Sequence, residues 1–550
     1  MDSEILWKSD LGDGTYQNPI LYADYSDPDV IRVGNYFYMT ASSFNYTPGL
    51  PILVSEDLVN WELKNYAIRN IGYDEYKNPN HARGIWAPAI RYHDGRFWIC
   101  YGMPDEGIFM IHAEDPLGAW SAPVLLLEGK GYIDPCPFWD EDGKAYIIHG
   151  YARSRIGFKS FLGIFPISSD ASRAIGEDKF LYDGTKSQPT IEGPKVYKRD
   201  GWYYIFAPAG GVKQGWQTVL RSKHIYGPYE ERIVLEQGST EINGPHQGGL
   251  VDTPGGEEWF IHFQDRGFYG RITHLQPVRW SEGWPVIGVT REESRLEPEA
   301  AVSEALGEKQ EAKRKEAVCG EPCLRYRKPG GLPKVKPMYL QASDDFRGKE
   351  LGLQWQWLGN HERSFYSLTA REGRLRLYSL NPSGSDPVIL WKSSNVVTQK
   401  FVCPSFKAEI KLDIQGLGYG EQAGCAVMGG QYMLLAVRKQ KEGLSLVYGE
   451  SMGSGDRREE NILMAAELPS DVQEVIFHLL LHKEEDRFVI RSSYCLKDAS
   501  FKETGHLFVP SDHTWVGAKI GLFSVALDTL PGHGYADFKY IKLKALGPGQ

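Results

Sequence analysis

The sequence predicts an all-β chain, a five-bladed β-propeller followed by a β-sandwich, and three observations carry that expectation. A proline-led hairpin pattern recurs five times in the first half, helical periodicity is not sustained for more than three turns before residue 300, and a second run of alternating strands follows a charged break. At 550 residues the chain has room for two large domains.

The five hairpins read, in order, SDPDVIRVGNYFYMTAS, WAPAIRYHDGRFWICYG, DPCPFWDEDGKAYIIHG, EGPKVYKRDGWYYIFAP and GPHQGGLVDTPGGEEWFIHF. Their prolines, Pro28, Pro88, Pro135, Pro194 and Pro245, stand 60, 47, 59 and 51 residues apart. In each copy an apolar pair leads into a turn of Asp, Asn or Gly and then an aromatic run of period two, the signature of a tight hairpin. The intervals leave space for two further strands, so each copy starts a four-stranded blade, and five blades account for residues 1–295. Residues 296–337 shift to a charged Ala/Glu/Lys-rich linker that ends in PGGLPKVKP. From 338 to 550, LRLYSL, SFKAEIKLDI, AGCAVMGGQYMLLAV and AKIGLFSVAL alternate without the repeat, as the strands of a two-sheet sandwich do.

Composition narrows the function. Against 61 basic residues stand 71 acidic ones, a net charge of −10 with no basic stripe, which argues against nucleic acid and anionic membranes as partners. Seven scattered cysteines make no disulfide framework, and the polar, acidic start lacks the pattern of a signal peptide, so the expected location is cytoplasmic. Fifteen Trp, 31 Tyr and 23 Phe serve strands and core, and they also offer faces on which a sugar ring can lay its C–H surface.

In a propeller the residues that open each first strand converge at one mouth of the central channel. Asp27 and Asp134 stand immediately before the repeat proline in copies one and three, Glu192 stands before Gly-Pro in copy four, Trp86 opens copy two and His246 follows the proline of copy five. One Asp-Pro is ordinary turn chemistry. Three acids at matched phases include the pair that glycoside hydrolysis requires, one carboxylic acid to protonate the leaving oxygen and one carboxylate to activate water.

The segments YQNPILYADYSDPDVIRVGNYFYMTASSF, GIWAPAIRY, IDPCPFWDEDGKAYI and IEGPKVYKRDGWYY resemble glycoside hydrolase family 43, and DDFRGKELGLQWQW with GYADFKYIKL resembles the C-terminal sandwich of its β-xylosidase-like branch. The resemblance implies an inverting exo-hydrolase acting on xylo- or arabinoxylo-oligosaccharides without an organic cofactor. It assigns Asp27 as general base, Glu192 as general acid and Asp134 as the carboxylate that orients the acid and modulates its pKa. It implies Arg271 as a contact to sugar hydroxyls, Trp86 and Phe44 as walls of the sugar pocket, His246 as a ligand of an axial calcium or a neighbour of channel water, and Asp345 with Asp537 as a structural calcium site in the sandwich. One departure from the family's P-D-P-S is the SDPD of this chain, which places Asp29 as a second acid beside Asp27. Two alternatives stay open at this point: a strict α-L-arabinofuranosidase, and a non-catalytic sugar-binding propeller.

Overall fold

A computed structural model of the chain describes residues 6–291, 293, 319–496, 499–528 and 534–547. Each hairpin repeat forms the first two strands of a four-stranded antiparallel blade. The first strands are Asp29–Val33, Trp86–His93, Tyr132–Trp139, Lys195–Arg199 and His246–Asp252. The strand of blade 1 lies against those of blades 2 and 5, which closes the ring. The turn chemistry is as the sequence requires: His93 pairs with Arg96 across Asp94-Gly95, and Arg199 with Trp202 across Asp200-Gly201. All four turn residues have φ between 49° and 74°, the twist that a two-residue hairpin needs.

Two polar devices hold the ring. Asp29, fully buried, accepts hydrogen bonds on Oδ2 from Arg91 Nη1 at 2.7 Å and from the Ile90 amide at 2.9 Å, which joins blade 1 to blade 2. Its charge is therefore structural, and the second acid of SDPD is spent on packing blades. Asn18 serves the other seam: its Nδ2 donates to Leu275 O and Cys323 O, both at 2.8 Å, and its Oδ1 accepts from the Leu275 amide at 2.9 Å. Beside it Thr15–Gln17 pairs antiparallel with Arg325–Arg327.

That pairing changes how the segment after blade 5 is understood. Residues 296–318 lie outside the described residues, but 319–327 run back along the propeller, where the Gly320 amide donates to Val234 O and the Glu321 amide to Val289 O. The chain touches blades 4 and 5 again before it crosses to the sandwich.

The sandwich is two seven-stranded antiparallel sheets. In Phe406–Asp413 buried and half-buried residues alternate, one face turned to the other sheet, as a two-layer fold demands. The two domains share one apolar core that runs from Leu53, Trp61 and Tyr269 through Phe401, Trp355 and Trp357 to Phe538. At the seam Thr47 and Trp357 exchange backbone hydrogen bonds of 3.1 and 2.7 Å. All seven cysteines are free, and among the described residues no helix is long and apolar enough to cross a membrane.

Asn18→Ala removes three buried bonds at the propeller seam and leaves their backbone partners unsatisfied, a cost on the order of 3 kcal/mol. The expected outcome is an earlier thermal transition of the propeller, read by differential scanning calorimetry; an unchanged thermogram would contradict the seam's importance.

Candidate active site

The backbone presents the acids before their side chains are considered. Asp27 and Asp134 both have positive φ, 54° and 55°, at equivalent places in blades 1 and 3. Asp is among the few residues that tolerate this conformation, and its use twice at the start of an inner strand turns each carboxyl toward the channel mouth. In blade 4 the same task falls to Gly193, φ 57°, beside Glu192; a Cβ there would lie 2.6 Å from Gln247 Cγ, so glycine alone fits.

Asp27 is 4 % exposed and held by three donors: Arg271 Nη1 to Oδ1 at 2.8 Å, and Ser26 Oγ and Ser42 Oγ to Oδ2 at 2.8 and 2.6 Å. A carboxylate has about four acceptor sites, and the vacant one is on Oδ1. Asp134, 3 % exposed, accepts on Oδ2 from the Gly193 amide at 2.8 Å and from Gln247 Nε2 at 3.1 Å. Burial first, then the charges of Glu192 and Asp27, push its carboxyl well above the ordinary range. Glu192 Oε1 lies 2.8 Å from His246 Nε2, and among the described residues its Oε2 makes no protein hydrogen bond. The three acids therefore sense one another electrostatically, each gripped on one side and open on another.

Aromatic rings form the adjacent wall. Phe44 and Trp86 meet edge-on at 6.4 Å, and Trp515, from the sandwich, stacks on Phe44 at 6.4 Å and meets Trp86 at 4.5 Å. Phe44 has φ 52°, an unfavourable conformation for a bulky residue, and is held there by paired backbone bonds with Ile85 of 2.8 and 3.0 Å. Trp86 Nε1 and Arg271 Nε are buried donors without a protein partner. Beyond Trp86 a cavity of about 600 Å³ is lined by Arg155, whose guanidinium lies 5.1 Å over the Trp86 ring, and by Arg83, Lys130 and Trp515.

Asp24 anchors the sandwich loop that carries Trp515. Its Oδ1 accepts from the Arg271 amide at 2.9 Å, and its Oδ2 accepts from the Gly517 amide at 3.0 Å and Lys519 Nζ at 3.4 Å. Asp27, Asp134, Glu192, Arg271, Trp86, Phe44 and His246 thus gather as the sequence places them. Asp24, Ser26, Ser42, Gln247 and Trp515 were missed. Trp515 had no repeat to reveal it, whereas Ser26 and Ser42 sit inside or beside the first quoted motif and had a signal in their position.

The matching family models decide the identity: "Glycosyl hydrolases family 43" over residues 16–285 and "Beta xylosidase C-terminal Concanavalin A-like domain" over 343–544. The chain belongs to glycosyl hydrolases family 43. This family 43 chain is 38 % identical to a "Putative beta-xylosidase" of Xylanibacter ruminicola, over 94 % of its own length and 88 % of the relative's. It is 32 % identical to a "Beta-xylosidase" of Formosa agariphila, over 98 % and 92 %. Among solved structures it resembles a xylan β-1,4-xylosidase of Bacillus halodurans C-125, with TM-score 0.80, 25 % identity, and coverage of 96 % and 99 %. It is a glycoside hydrolase with a propeller and a sandwich in one chain.

The residues expected to hold calcium have the following partners among the described residues. His246 Nε2 faces Glu192, and among the described residues its Nδ1 is buried without a hydrogen-bond partner. Asp537 gives its oxygens to Arg376 at 2.8 and 2.9 Å and to Arg371 at 3.2 Å, while Asp345 Oδ1 caps the Arg347 amide at 3.3 Å. Arginines already neutralise Asp537, and among the described residues no three His, Cys, Asp or Glu side chains surround a common point.

A carboxyl whose proton affinity rises on folding favours the folded state at low pH, and that contribution is lost as pH climbs from the unfolded value through the folded one. For Asp134 the window runs from about 4 to about 8. Asp134→Asn should therefore gain thermal stability relative to the wild type between pH 5 and pH 8 while losing activity. A stability difference that does not change with pH would refute the shift.

Proposed function

We propose that this family 43 hydrolase releases terminal β-D-xylose from xylan-derived oligosaccharides by a single inverting displacement, with α-L-arabinofuranose as the alternative glycone. The observation that carries the reading is the gathering of Asp27, Asp134 and Glu192 at one mouth beside the wall of Phe44, Trp86 and Trp515. The xylosidase names of its full-length relatives support the choice of xylose. A binding module would need the aromatic wall but not three acids.

In this reading Asp27, pinned by Ser26, Ser42 and Arg271, uses its vacant Oδ1 site to take a proton from water as the water oxygen bonds to the anomeric carbon. The bond from that carbon to the leaving oxygen breaks, and Glu192 supplies the proton the leaving oxygen needs. His246 holds Glu192 by Oε1 and leaves Oε2 to face the substrate. Asp134, held by Gly193 and Gln247, lies close enough to Glu192 to feel its charge and orients the acid's surroundings. Inversion calls for a gap of about 6.5–9.5 Å between base and acid so that water fits between them. Trp515 closes one side of the wall from the other domain, which suits a pocket that takes a chain end.

The test separates the two acids by leaving group. Nitrophenolate departs with little need for a proton, so Glu192→Ala should lose far more on xylobiose than on p-nitrophenyl β-D-xylopyranoside, whereas Asp27→Ala should lose about 10²–10⁴-fold on both. Equal losses for both variants on both substrates would reverse or abolish the assignment. Proton NMR of the first sugar released from a β-xyloside should show the α-anomer. Nitrophenyl α-L-arabinofuranoside, run in parallel, decides the glycone. Trp515→Ala, which removes the sandwich's ring from the wall, should lower kcat/KM about tenfold, roughly 1.4 kcal/mol, mainly through KM.

A further inference from the structure

A second cavity, of about 460 Å³, lies between the domains and is built from none of the residues assigned to catalysis. Tyr25 and Tyr66 of the propeller face Gln354, Gln399 and Lys400 of the sandwich across it, and Tyr339 of the crossing segment lies along one side. Its volume falls in the range of small-molecule sites, about 300–1,000 Å³.

The polar groups around it are left unsatisfied by the protein. Gln399 is 2 % exposed, and among the described residues neither its Nε2 nor its Oε1 has a hydrogen-bond partner. Gln354 donates its Nε2 to Asp344 Oδ2 at 3.0 Å, but its Oε1 is buried and unpaired. A buried amide without partners is costly to keep, so such a cluster beside a cavity calls for an occupant that restores the bonds. Lys400 Nζ lies 3.9 Å over the Tyr25 ring, a second donor at the same wall.

The inventory of donors and acceptors selects the occupant's chemistry. Two orphan acceptors, Gln399 Oε1 and Gln354 Oε1, need hydrogen donors from the ligand. A carboxylate or phosphate is acceptor-rich and would leave them unpaired. Lys400 is a weak anchor for an anion in any case, because desolvation first and Lys519 second push its ammonium down to about 7. Hydroxyl groups both donate and accept, and the ring of Tyr66, which Lys400 does not cover, suits the C–H surface of a sugar ring. We infer that this interdomain cavity is a second, non-catalytic binding site for a neutral polyhydroxylated ring, a pentose or a short pentose oligomer. The polyhydroxylated ring follows from the cavity's own groups, and its identity as a pentose rests on the hydrolase reading.

The full chain decides it. Crystals soaked in D-xylose or xylobiose should show a ring in this cavity against Tyr25 or Tyr66, with hydroxyls on Gln399 and Gln354. Titration calorimetry of the Glu192→Ala chain with xylobiose should show two binding events, one of which Gln399→Leu abolishes. Gln399→Leu in the otherwise wild-type chain should keep its kcat/KM on p-nitrophenyl β-D-xylopyranoside. If Gln399→Leu melts early, Lys400→Met is the second variant, and it should weaken the same binding event. Ordered water alone in the cavity at saturating sugar, or a titration that neither variant alters, overturns the site. Turnover of the nitrophenyl substrate is scored separately, so an active enzyme with a sugar-free cavity refutes this inference alone, and an inactive one with sugar in the cavity refutes the hydrolase reading alone.

Discussion

Much of the architecture hangs on one buried carboxylate, Asp24. Only 6 % exposed, it accepts from the Arg271 amide, the Gly517 amide and Lys519 Nζ, so a single charge binds blade 5 to the loop of the sandwich that carries Trp515. A carboxylate this deep is tolerable only if its lone pairs are filled, and two backbone amides and an ammonium fill them. Arg271 begins its strand at that contact and extends its guanidinium to Asp27. The position of the proposed base is thus linked through two residues to the docking of the second domain.

The same economy explains why the channel mouth is costly to build. Asp27, Phe44 and Asp134 in the left-handed conformation, an ion pair buried between Arg271 and Asp27, and a buried acid that feels the charges of two others all work against stability at one spot. The shared apolar core and the interlocked blades supply the compensation at a distance from the chemistry. Asp29 belongs to this compensating side: two residues from Asp27 in sequence, it faces Arg91 and the blade 2 backbone instead of the channel.

The propeller was legible because its repeats are. Period-two aromatics, Asp-Gly turns and evenly spaced prolines are local features, and the phase of the repeat alone aligned Asp27, Asp134 and Glu192. The same phase placed His246 at the axis but did not reveal that its Nε2 meets Glu192, since phase sets where a residue stands and not which neighbour its ring nitrogen meets. Asp345 and Asp537 show the limit from the other side: the quoted motifs were right about the sandwich, while Arg371 and Arg376, distant in sequence, decide what Asp537 holds. Trp515 was invisible for the same reason, because it reaches the wall only once two domains that share no repeat have docked.

That docking also bears on why a hydrolase would carry a sandwich of two hundred residues. Propeller rings alone leave a channel mouth open to chains that pass across it. Here the Trp515 loop seals one flank, and His81 of the propeller stacks on Trp391 of the sandwich at 3.7 Å, with His513 packed edge-on against both rings. Burial holds His81 and His513 far below the usual histidine range, to about 3 and about 4, so the stack stays uncharged through neutral and mildly acidic pH. Cation repulsion between two imidazoles therefore does not open the seam where the enzyme works. The Arg458 guanidinium, 4.0 Å over the Trp391 ring, caps the same stack, so the seam that carries the Trp515 wall is packed from both domains, and a pocket walled by both domains suits chain ends better than chain interiors.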